Sequence, residues 1–412
     1  MRAATQLTAR QERWLLWSLA AVQFTHIVDF MVMMPLGPQL TRLFQLTDAQ
    51  FGVLVSAYSL AAGASGLTAS LFIDRFDRLK ALSVLYAGFA LATLACGLSD
   101  TYSGLMMARV AAGVFGGVLG ALVQTIVGDS IPFERRGAAM GIIMSAFSLS
   151  TVAGVPASLW IASQWGWHMP FIVIALASAA VWITVWRTVP DLPGHAHDPG
   201  SSTALQRLQG VVANTNHWRA FGLSALLMMG SFSIIPYITI YTTTNLGLKP
   251  EQVPLIYLAG GVASFFSARL WGRLSDRWGK VETFRALSVV AVLPMLGLTH
   301  LTSQSLWLLL LATTSFFIFV SGRMVPGMAL LTAAPPPNLR GGFMSVNSAL
   351  QSAAMGLAAW IGGALISRAP DGTVVGYERT GWLALATTVV VVWWVGRVRL
   401  HTASPAAPSP SR

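Results

Sequence analysis

Residues 272–280 read Gly-Arg-Leu-Ser-Asp-Arg-Trp-Gly-Lys, and their last five residues resemble Asp74-Arg75-Phe76-Asp77-Arg78, which lie 202 positions earlier. The same offset relates Leu46-Thr47-Asp48-Ala49-Gln50 to Leu248-Lys249-Pro250-Glu251-Gln252. An offset of 204 relates Arg136-Gly137-Ala138-Ala139-Met140 to Arg340-Gly341-Gly342-Phe343-Met344. Three repeats at nearly one spacing predict a structural unit that occurs twice along the chain.

The composition excludes an ordinary water-soluble enzyme. The chain has 412 residues, of which 54% are hydrophobic and only 10% are charged, whereas soluble domains carry about a quarter charged residues. The net charge of +11 resembles that of a nucleic-acid-binding protein until the charges are placed along the chain. The single cysteine, Cys96, permits neither an internal disulfide nor a multi-thiolate metal site.

Twelve segments are long and apolar enough to cross a bilayer, which takes roughly 20 apolar residues per helix. We therefore predict an all-α integral membrane protein with twelve transmembrane helices. The predicted spans are 14–37, 50–73, 81–99, 103–127, 138–161, 169–187, 218–243, 252–271, 283–301, 305–331, 341–367 and 380–397.

The basic residues orient these spans. If the N-terminus is cytoplasmic, 20 of the 26 Lys and Arg residues fall in cytoplasmic segments, and four fall outside: Arg42, Lys249, Arg368 and Arg379. Positive charge concentrates on the cytoplasmic side of membrane proteins. We therefore expect both termini in the cytoplasm of a bacterial-type inner membrane, and the net charge is explained without a nucleic-acid partner.

A polar interruption at 188–217 divides six spans from six. We predict an N-terminal six-helix bundle at 1–187, a cytoplasmic linker at 188–217, a C-terminal bundle at 218–400 and a disordered tail at 401–412. His195 and His197 in the linker could bind a metal, but no further ligands are near in sequence, so we expect none. A duplicated six-helix unit in lipid predicts a transporter whose two bundles rock about a central site.

Several motifs resemble those of the major facilitator superfamily. The stretch 272–280 fits that family's Gly-x-Leu-x-Asp-Arg-x-Gly-Arg/Lys signature, and the first-half copy departs from it at Ser70 and Asp77, where glycines are usual. Arg109 within 105–113 resembles the fourth-helix arginine motif, and Gly154-Val155-Pro156 the fifth-helix motif of drug:proton antiporters.

The first span resembles that of a particular twelve-span subgroup. Asp29 followed by Pro35-Leu36-Gly37-Pro38 is similar to the first-helix motif of drug:proton antiporters and sugar (arabinose-type) efflux permeases. The resemblance implies two pseudo-symmetric six-helix bundles and proton-coupled transport, and it favours export.

The repeated Asp-Arg loops are candidates for gating. We expect an ion network at the cytoplasmic helix ends, holding the outward-facing state as this loop does in the family. Its first-half members are Asp74, Arg75, Arg78 and Asp129. The second-half members are Asp276 and Arg277, and their network should be weaker because no Asp lies near Ala333. The alternative is ordinary positive-inside flanking charge.

Asp29 is the only carboxylate well inside a predicted span. A charged side chain there costs about 2.5–3.5 kcal/mol on insertion scales, and desolvation favours the neutral form of a carboxyl, so Asp29 is the predicted proton carrier. Arg109, which keeps its charge, is the expected partner. His26 shares the helix face of Asp29 and is either a proton relay or a hydrogen-bonded cavity residue.

Some buried charged residues have an uncharged residue at the equivalent position of the other half. We expect these residues to take part in proton transfer and substrate binding. The repeat offset places Asp29 near Ser231, Arg109 near Thr313 and Arg323 near Leu119, and none of these counterparts is charged. We therefore assign Arg323 to substrate binding. Weaker candidates for the substrate cavity, each equally explained as an interhelical contact, are Gln124, Tyr58, Tyr237, Tyr241, Asn347 and Gln351.

These features predict a monomeric, proton-coupled exporter of a small amphiphilic molecule, drug- or sugar-like. The proton motive force would be the energy source, with no cofactor or metal. Two buried arginines keep open a second function, uptake or export of an anionic metabolite or siderophore. A non-transporting membrane sensor or membrane enzyme is the remote third, since the chain lacks His-Glu-x-x-His, Gly-x-Ser-x-Gly and a nucleotide-binding loop.

Overall fold

A computed structural model describes residues 8–69, 71, 76–131, 133–188, 204–336 and 339–400. Eight helices precede residue 189: α1 Ala9–Val32, α2 Gly37–Leu43, α3 Asp48–Ala69, α4 Arg78–Gly97, α5 Tyr102–Ser130, α6 Phe133–Leu149, α7 Val155–Trp165 and α8 His168–Thr188. The later helices are α9 Ala204–Val212, α10 Thr215–Phe232, α11 Ile238–Thr244, α12 Val253–Trp278, α13 Lys280–Thr299, α14 Leu306–Gly322, α15 Met324–Ala333, α16 Arg340–Leu365 and α17 Tyr377–Trp394. A short antiparallel pair, β1 Ser367–Arg368 and β2 Val374–Val375, precedes α17.

The helices agree with the predicted membrane spans. Within the described ranges, eleven helical segments are long and apolar enough to cross a membrane, and each overlaps a predicted span. The remaining span, 341–367, corresponds to α16, a 26-residue helix diluted by Gly, Ser, Asn and Gln. At 1.5 Å per residue, α16 exceeds the roughly 30 Å of a bilayer core. Its small residues suit a helix that packs on α3 along most of its length.

Polar caps set the starts of several helices. Asp77 caps α4 by accepting hydrogen bonds from the backbone N–H groups of Leu79 and Lys80, both at 3.0 Å. Thr101 caps α5 in the same way, through the N–H of Gly104. A carboxylate at a helix N-terminus satisfies free N–H groups and complements the helix dipole. The departure from the family glycine at position 77 therefore has a structural role of its own.

The structure repeats as the sequence does. α1 ends at Val32 and a short helix, α2, begins at Gly37; α10 ends at Phe232 and a short helix, α11, begins at Ile238. The first helix of each unit thus breaks at positions that agree to within two residues under the 202-residue offset.

Two further traverses are interrupted. A π-helical segment, Ser150–Gly154, joins α6 to α7, and Arg323 separates α14 from α15. Such interruptions often mark functional positions in helices.

The hydrophobic core consists of separate clusters at different positions along the crossing helices. We call the end that carries residues 8 and 400 the termini end and the opposite one the far end. One apolar cluster at the far end includes residues of both bundles, among them Leu40, Phe51 and Tyr237. Toward the termini end each bundle has its own cluster, one around Leu122 and the other around Phe343. The two bundles are therefore packed together at the far end.

Candidate functional site

The centre of the first bundle holds a buried ion pair. The Nη1 of Arg109 on α5 lies 2.9 Å from Oδ2 of Asp29 on α1, and both side chains are almost fully buried, at 1% and 0% exposure. The same nitrogen lies 3.4 Å from the backbone oxygen of Asp29. The pairing expected between these two residues is present. A buried pair of this kind balances a large desolvation cost against a strong attraction, so small changes in its surroundings shift its stability.

Two other helices, α3 and α4, flank this pair. The guanidinium of Arg109 lies 4.4 Å from the centroid of the Tyr58 ring on α3, within the range of a cation–π contact. Thr93 and Cys96 of α4 are fully buried beside it. Oδ1 of Asp29 and Nε of Arg109 have no hydrogen-bond partner among the described atoms. The pair thus retains hydrogen-bonding capacity that it does not use.

Glycines in α5 bring these helices together. A Cβ on Gly117 would lie 2.2 Å from the carbonyl oxygen of Ala62, and one on Gly113 would lie 2.4 Å from that of Tyr58. Side chains at either position would push α3 away from α5. The close approach places the Tyr58 ring over Arg109.

His26 lies in an aromatic environment one turn before Asp29. Its ring centroid is 6.3 Å from that of Tyr58 and 5.7 Å from that of Phe89. Its Nδ1 has no hydrogen-bond partner, and no described hydrogen bond joins His26 to Asp29. A proton relay from His26 would therefore need a water molecule or a movement of the side chain.

Arg323 is the buried charge of the second bundle. It is 1% exposed and lies at the break between α14 and α15. Its Nη2 donates to Ser231 Oγ at 3.0 Å and its Nη1 to Thr388 Oγ1 at 3.2 Å, while Nε has no partner. None of the described ion pairs includes it.

The remaining candidates for substrate binding differ in their exposure and in their hydrogen-bond partners. Gln124 is exposed on α5. Gln351 donates to Ser224 Oγ at 2.8 Å, and Asn347 is buried with no partner for either side-chain polar atom. Tyr237 donates to the carbonyl oxygen of Ala359 at 2.5 Å, and Tyr241 to that of Leu301 at 2.8 Å. Both tyrosines therefore make an interhelical contact, which was the alternative to a role in the substrate cavity.

No pattern in the sequence predicts the contacts that join the bundles at the far end. Arg368 of β1 binds Asp48 of α3 through two hydrogen bonds, Nε to Oδ2 at 3.1 Å and Nη2 to Oδ1 at 3.0 Å. Ser56 Oγ donates to the carbonyl oxygen of Gly356 at 2.7 Å. A Cβ on Gly52 would lie 2.4 Å from Tyr237 Oη. We call these contacts between α3, α16 and β1 the far-end seam.

The predicted gating residues are only partly within the described structure. Asp74 and Arg75 lie outside the described residues, as does the side chain of Asp129. Arg78 is buried at the start of α4. Asp276 and Arg277 are exposed, and no ion pair joins them to another described residue. The described ion pair at this end joins Arg135 to Glu12 at 2.9 Å, within the first bundle.

Comparisons with known proteins agree with this architecture. The Major Facilitator Superfamily profile matches residues 19–359 and 220–411. YtbD of Bacillus subtilis (strain 168), an uncharacterized transporter of this type, is 26% identical over 355 residues, covering 85% of this chain and 86% of the relative. The chloramphenicol efflux pump Rv0191 of Mycobacterium tuberculosis (strain ATCC 25618 / H37Rv) is 24% identical over 343 residues, covering 81% and 77%.

Solved structures share the fold at low sequence identity. A bacterial homologue of the human lysosomal transporter Spinster, inward-facing and unoccupied, superposes with a TM-score of 0.74 at 17% identity, covering 95% of this chain and 97% of that one. A mutant of the nucleoside transporter NupG gives a TM-score of 0.73 at 14% identity, covering 93% and 100%. With its duplicated helical unit and the match along nearly its whole length, this chain belongs to the Major Facilitator Superfamily and is a multi-pass membrane transporter of small molecules, not an enzyme.

Proposed function

We propose that this transporter exports a small amphiphilic molecule in exchange for protons, by alternating access. The observation that carries the proposal is the fully buried pair of Asp29 and Arg109. Asp29 is the only carboxylate well inside a predicted span, so we take it as the proton carrier. Relatives named as chloramphenicol efflux pumps support export of a drug-like cargo.

The pair offers a means of coupling. Ionised Asp29 is held by Arg109, whose guanidinium does not lose its proton. A proton on Asp29 neutralises the carboxylate, which removes the charge–charge attraction and leaves Arg109 free to meet another acceptor. Proton uptake outside would thus accompany cargo release, and proton loss inside would restore the pair and the cargo site.

The driving force suits this exchange. One charge moving through 100 mV yields about 2.3 kcal/mol, and one pH unit adds about 1.4 kcal/mol. Since about 1.4 kcal/mol is a tenfold concentration ratio, a neutral cargo could be concentrated a few hundredfold.

The positive-inside pattern supports an orientation with both termini in the cytoplasm of a bacterial inner membrane. The far-end seam then faces outward, and the bundles are joined on the outside. In this proposal the structure represents an inward-facing state of a monomer.

The experiment begins with a search for the cargo. Growth inhibition of a deletion strain and an overexpressing strain, against a broad panel that includes chloramphenicol, selects compounds for transport assays. The purified protein is then placed in proteoliposomes with a trapped pH-sensitive dye. We expect the selected cargo to dissipate an imposed pH gradient for the wild type and not for Asp29→Asn.

Asp371→Asn is the matched control, because Asp371 is an exposed carboxylate that only accepts hydrogen bonds from Thr373. It should transport like the wild type. Full gradient-driven transport by Asp29→Asn would reject the carrier role.

A second candidate function is transport of an anionic metabolite or siderophore, inward or outward. It is favoured by Arg323, a buried cation that pairs with no described carboxylate. Transport measured in inverted vesicles separates the directions, because only an exporter would fill them in response to a proton gradient.

A further inference from the structure

We propose that Arg323, Ser231 and Thr388 form a binding site for one monovalent anion of carboxylate size. In this site the anion takes the position beside Arg323 that the carboxylate of Asp29 takes beside Arg109. The proposal depends neither on the direction of transport nor on proton coupling.

The first argument is the balance of charge. Arg323 is 1% exposed and stays protonated, yet its two described partners are neutral hydroxyls at 3.0 and 3.2 Å. The crossing helices of the second bundle carry Asp and Glu only near their ends, at Glu251, Asp276, Glu282 and Glu378, and no described ion pair joins any of these residues to Arg323. Buried charges are normally paired, so this guanidinium lacks a counter-ion from its own bundle.

Helix dipoles do not replace that counter-ion. Arg323 is both the C-cap residue of α14 and the N-cap residue of α15. The C-terminus of α14 carries partial negative charge, while the N-terminus of α15 carries partial positive charge. The two contributions oppose each other at the position of Arg323.

The second argument comes from the repeat. Ser231 lies 202 residues after Asp29, the offset that relates the two units, and both residues lie near the end of their unit's first helix. Arg109 and Arg323 both come from the fourth traverse of their unit. Each arginine therefore contacts the same position of the first helix. In the first bundle that position supplies a carboxylate, and in the second it supplies a hydroxyl.

The third argument is the unused hydrogen-bonding capacity. The Nε of Arg323 is buried without a partner. A guanidinium binds a carboxylate through two parallel N–H donors, one of which is commonly Nε. Gly230 adjoins the site, since a Cβ there would lie 3.5 Å from Nη2 of Arg323 and 2.7 Å from Thr387 Oγ1. A side chain at position 230 would therefore crowd Thr387 and touch the guanidinium at van der Waals distance.

Two kinds of monovalent anion could occupy this site: the carboxylate of a transported molecule or a free inorganic anion such as chloride. The probes are radiolabelled chloride and radiolabelled acetate, each measured by equilibrium dialysis on the purified full-length protein at constant ionic strength in sulfate. Saturable binding of acetate alone indicates a carboxylate site. Binding of both, with mutual competition, indicates a general monovalent anion site.

Two variants test the assignment to Arg323. Arg323→Gln should weaken binding of the probe by at least about tenfold, because it removes the charge that the anion neutralises. Ser231→Asp should also abolish binding, because it supplies the missing carboxylate from within the protein, and it should raise the thermal unfolding midpoint. Arg42→Gln, at an exposed arginine, is the control and should bind like the wild type.

Wild-type protein that binds neither probe would overturn the proposal, and so would unchanged binding in Ser231→Asp. If Arg323→Gln does not fold, Ser231→Asp alone decides, since it retains the arginine and adds only its partner.

Discussion

At the scale of single residues, Arg109 shows how a permanent charge is accommodated in the first bundle. Its neighbours come from three helices: the carboxylate of Asp29, the ring of Tyr58 and the thiol of Cys96. Attraction within the pair compensates for desolvation only while both partners are present. Removal of one partner leaves the other buried and unpaired.

This arrangement predicts strong coupling between the two residues. Arg109→Gln should destabilise the protein by about 3–5 kcal/mol, because it leaves an ionised or strained Asp29 in the core. The double variant Asp29→Asn, Arg109→Gln should recover a large part of that loss. Thermal unfolding in detergent, analysed as a double-mutant cycle, measures the coupling.

Arg135→Gln provides the comparison for an exposed ion pair. Arg135 pairs with Glu12 at the protein surface, and such pairs contribute about 0–1 kcal/mol. Equal losses in Arg109→Gln and Arg135→Gln would contradict the coupling described for the buried pair.

The buried pair could be predicted from the sequence, whereas the seam could not. Few charges lie inside the spans, so Asp29 and Arg109 were the natural partners once the spans were placed. Asp48 and Arg368 lie at span ends, where charges are ordinary, and they are 320 residues apart. Their contact depends on how the two bundles meet, which no local pattern encodes. The contact between Ser231 and Arg323 was not predicted either, because the repeat offset relates Arg109 to Thr313 and not to Arg323.

At the scale of elements, glycine contacts between α3 and α5 determine the geometry of the site. The carbonyl oxygen of Ala62 occupies the space that a Cβ on Gly117 would need, at 2.2 Å. Backbone atoms cannot move aside as a flexible side chain does. Any residue larger than glycine must therefore separate the two helices, and the separation carries the Tyr58 ring away from Arg109.

We expect Gly117→Ala to lower stability by about 1–3 kcal/mol through overpacking. It should also reduce transport, since it displaces Tyr58. Gly141→Ala on α6 is the matched control, because a Cβ there meets nothing within 4 Å. Alanine favours a helix over glycine by up to about 1 kcal/mol, so this control should be neutral or stabilising. Unfolding midpoints and cargo flux of both variants check the prediction, which fails if the two behave alike.

At the scale of the whole molecule, the two bundles share an ion pair at the far end. The pair of Arg368 and Asp48 is bidentate and half shielded, with the carboxylate almost completely buried. Hydrogen bonds to charged groups contribute about 1.5–3 kcal/mol each when protected from water. In the alternating-access proposal, the seam therefore biases the equilibrium between the two arrangements of the bundles toward the one described.

We predict that Arg368→Gln and Asp48→Asn each raise the population of the alternative arrangement by about tenfold, for a loss of about 1.4 kcal/mol. The measurement uses Ser56→Cys in a Cys96→Ser background, labelled with a membrane-impermeant maleimide. Ser56 is buried in the seam, so labelling reports its opening. The charge-reversed double variant, Asp48→Arg with Arg368→Asp, should return labelling toward the original rate.

Arg379→Gln controls for a loss of far-end positive charge, because Arg379 is exposed and outside the seam. Faster labelling in this variant than in Arg368→Gln would argue that general surface charge, rather than the specific pair, controls opening.

The π-helical segment between α6 and α7 affects where the two bundles can move against each other. The N–H of Val155 bonds to the carbonyl of Ser150, five residues back, so this turn is one residue wider than its neighbours. The same turn touches the second bundle, because a Cβ on Gly261 of α12 would lie 2.9 Å from the Thr151 carbonyl oxygen. The wider turn, where the α6–α7 helix bends most easily, therefore lies at a contact with the second bundle. We expect the two bundles to pivot about this contact when one tilts against the other.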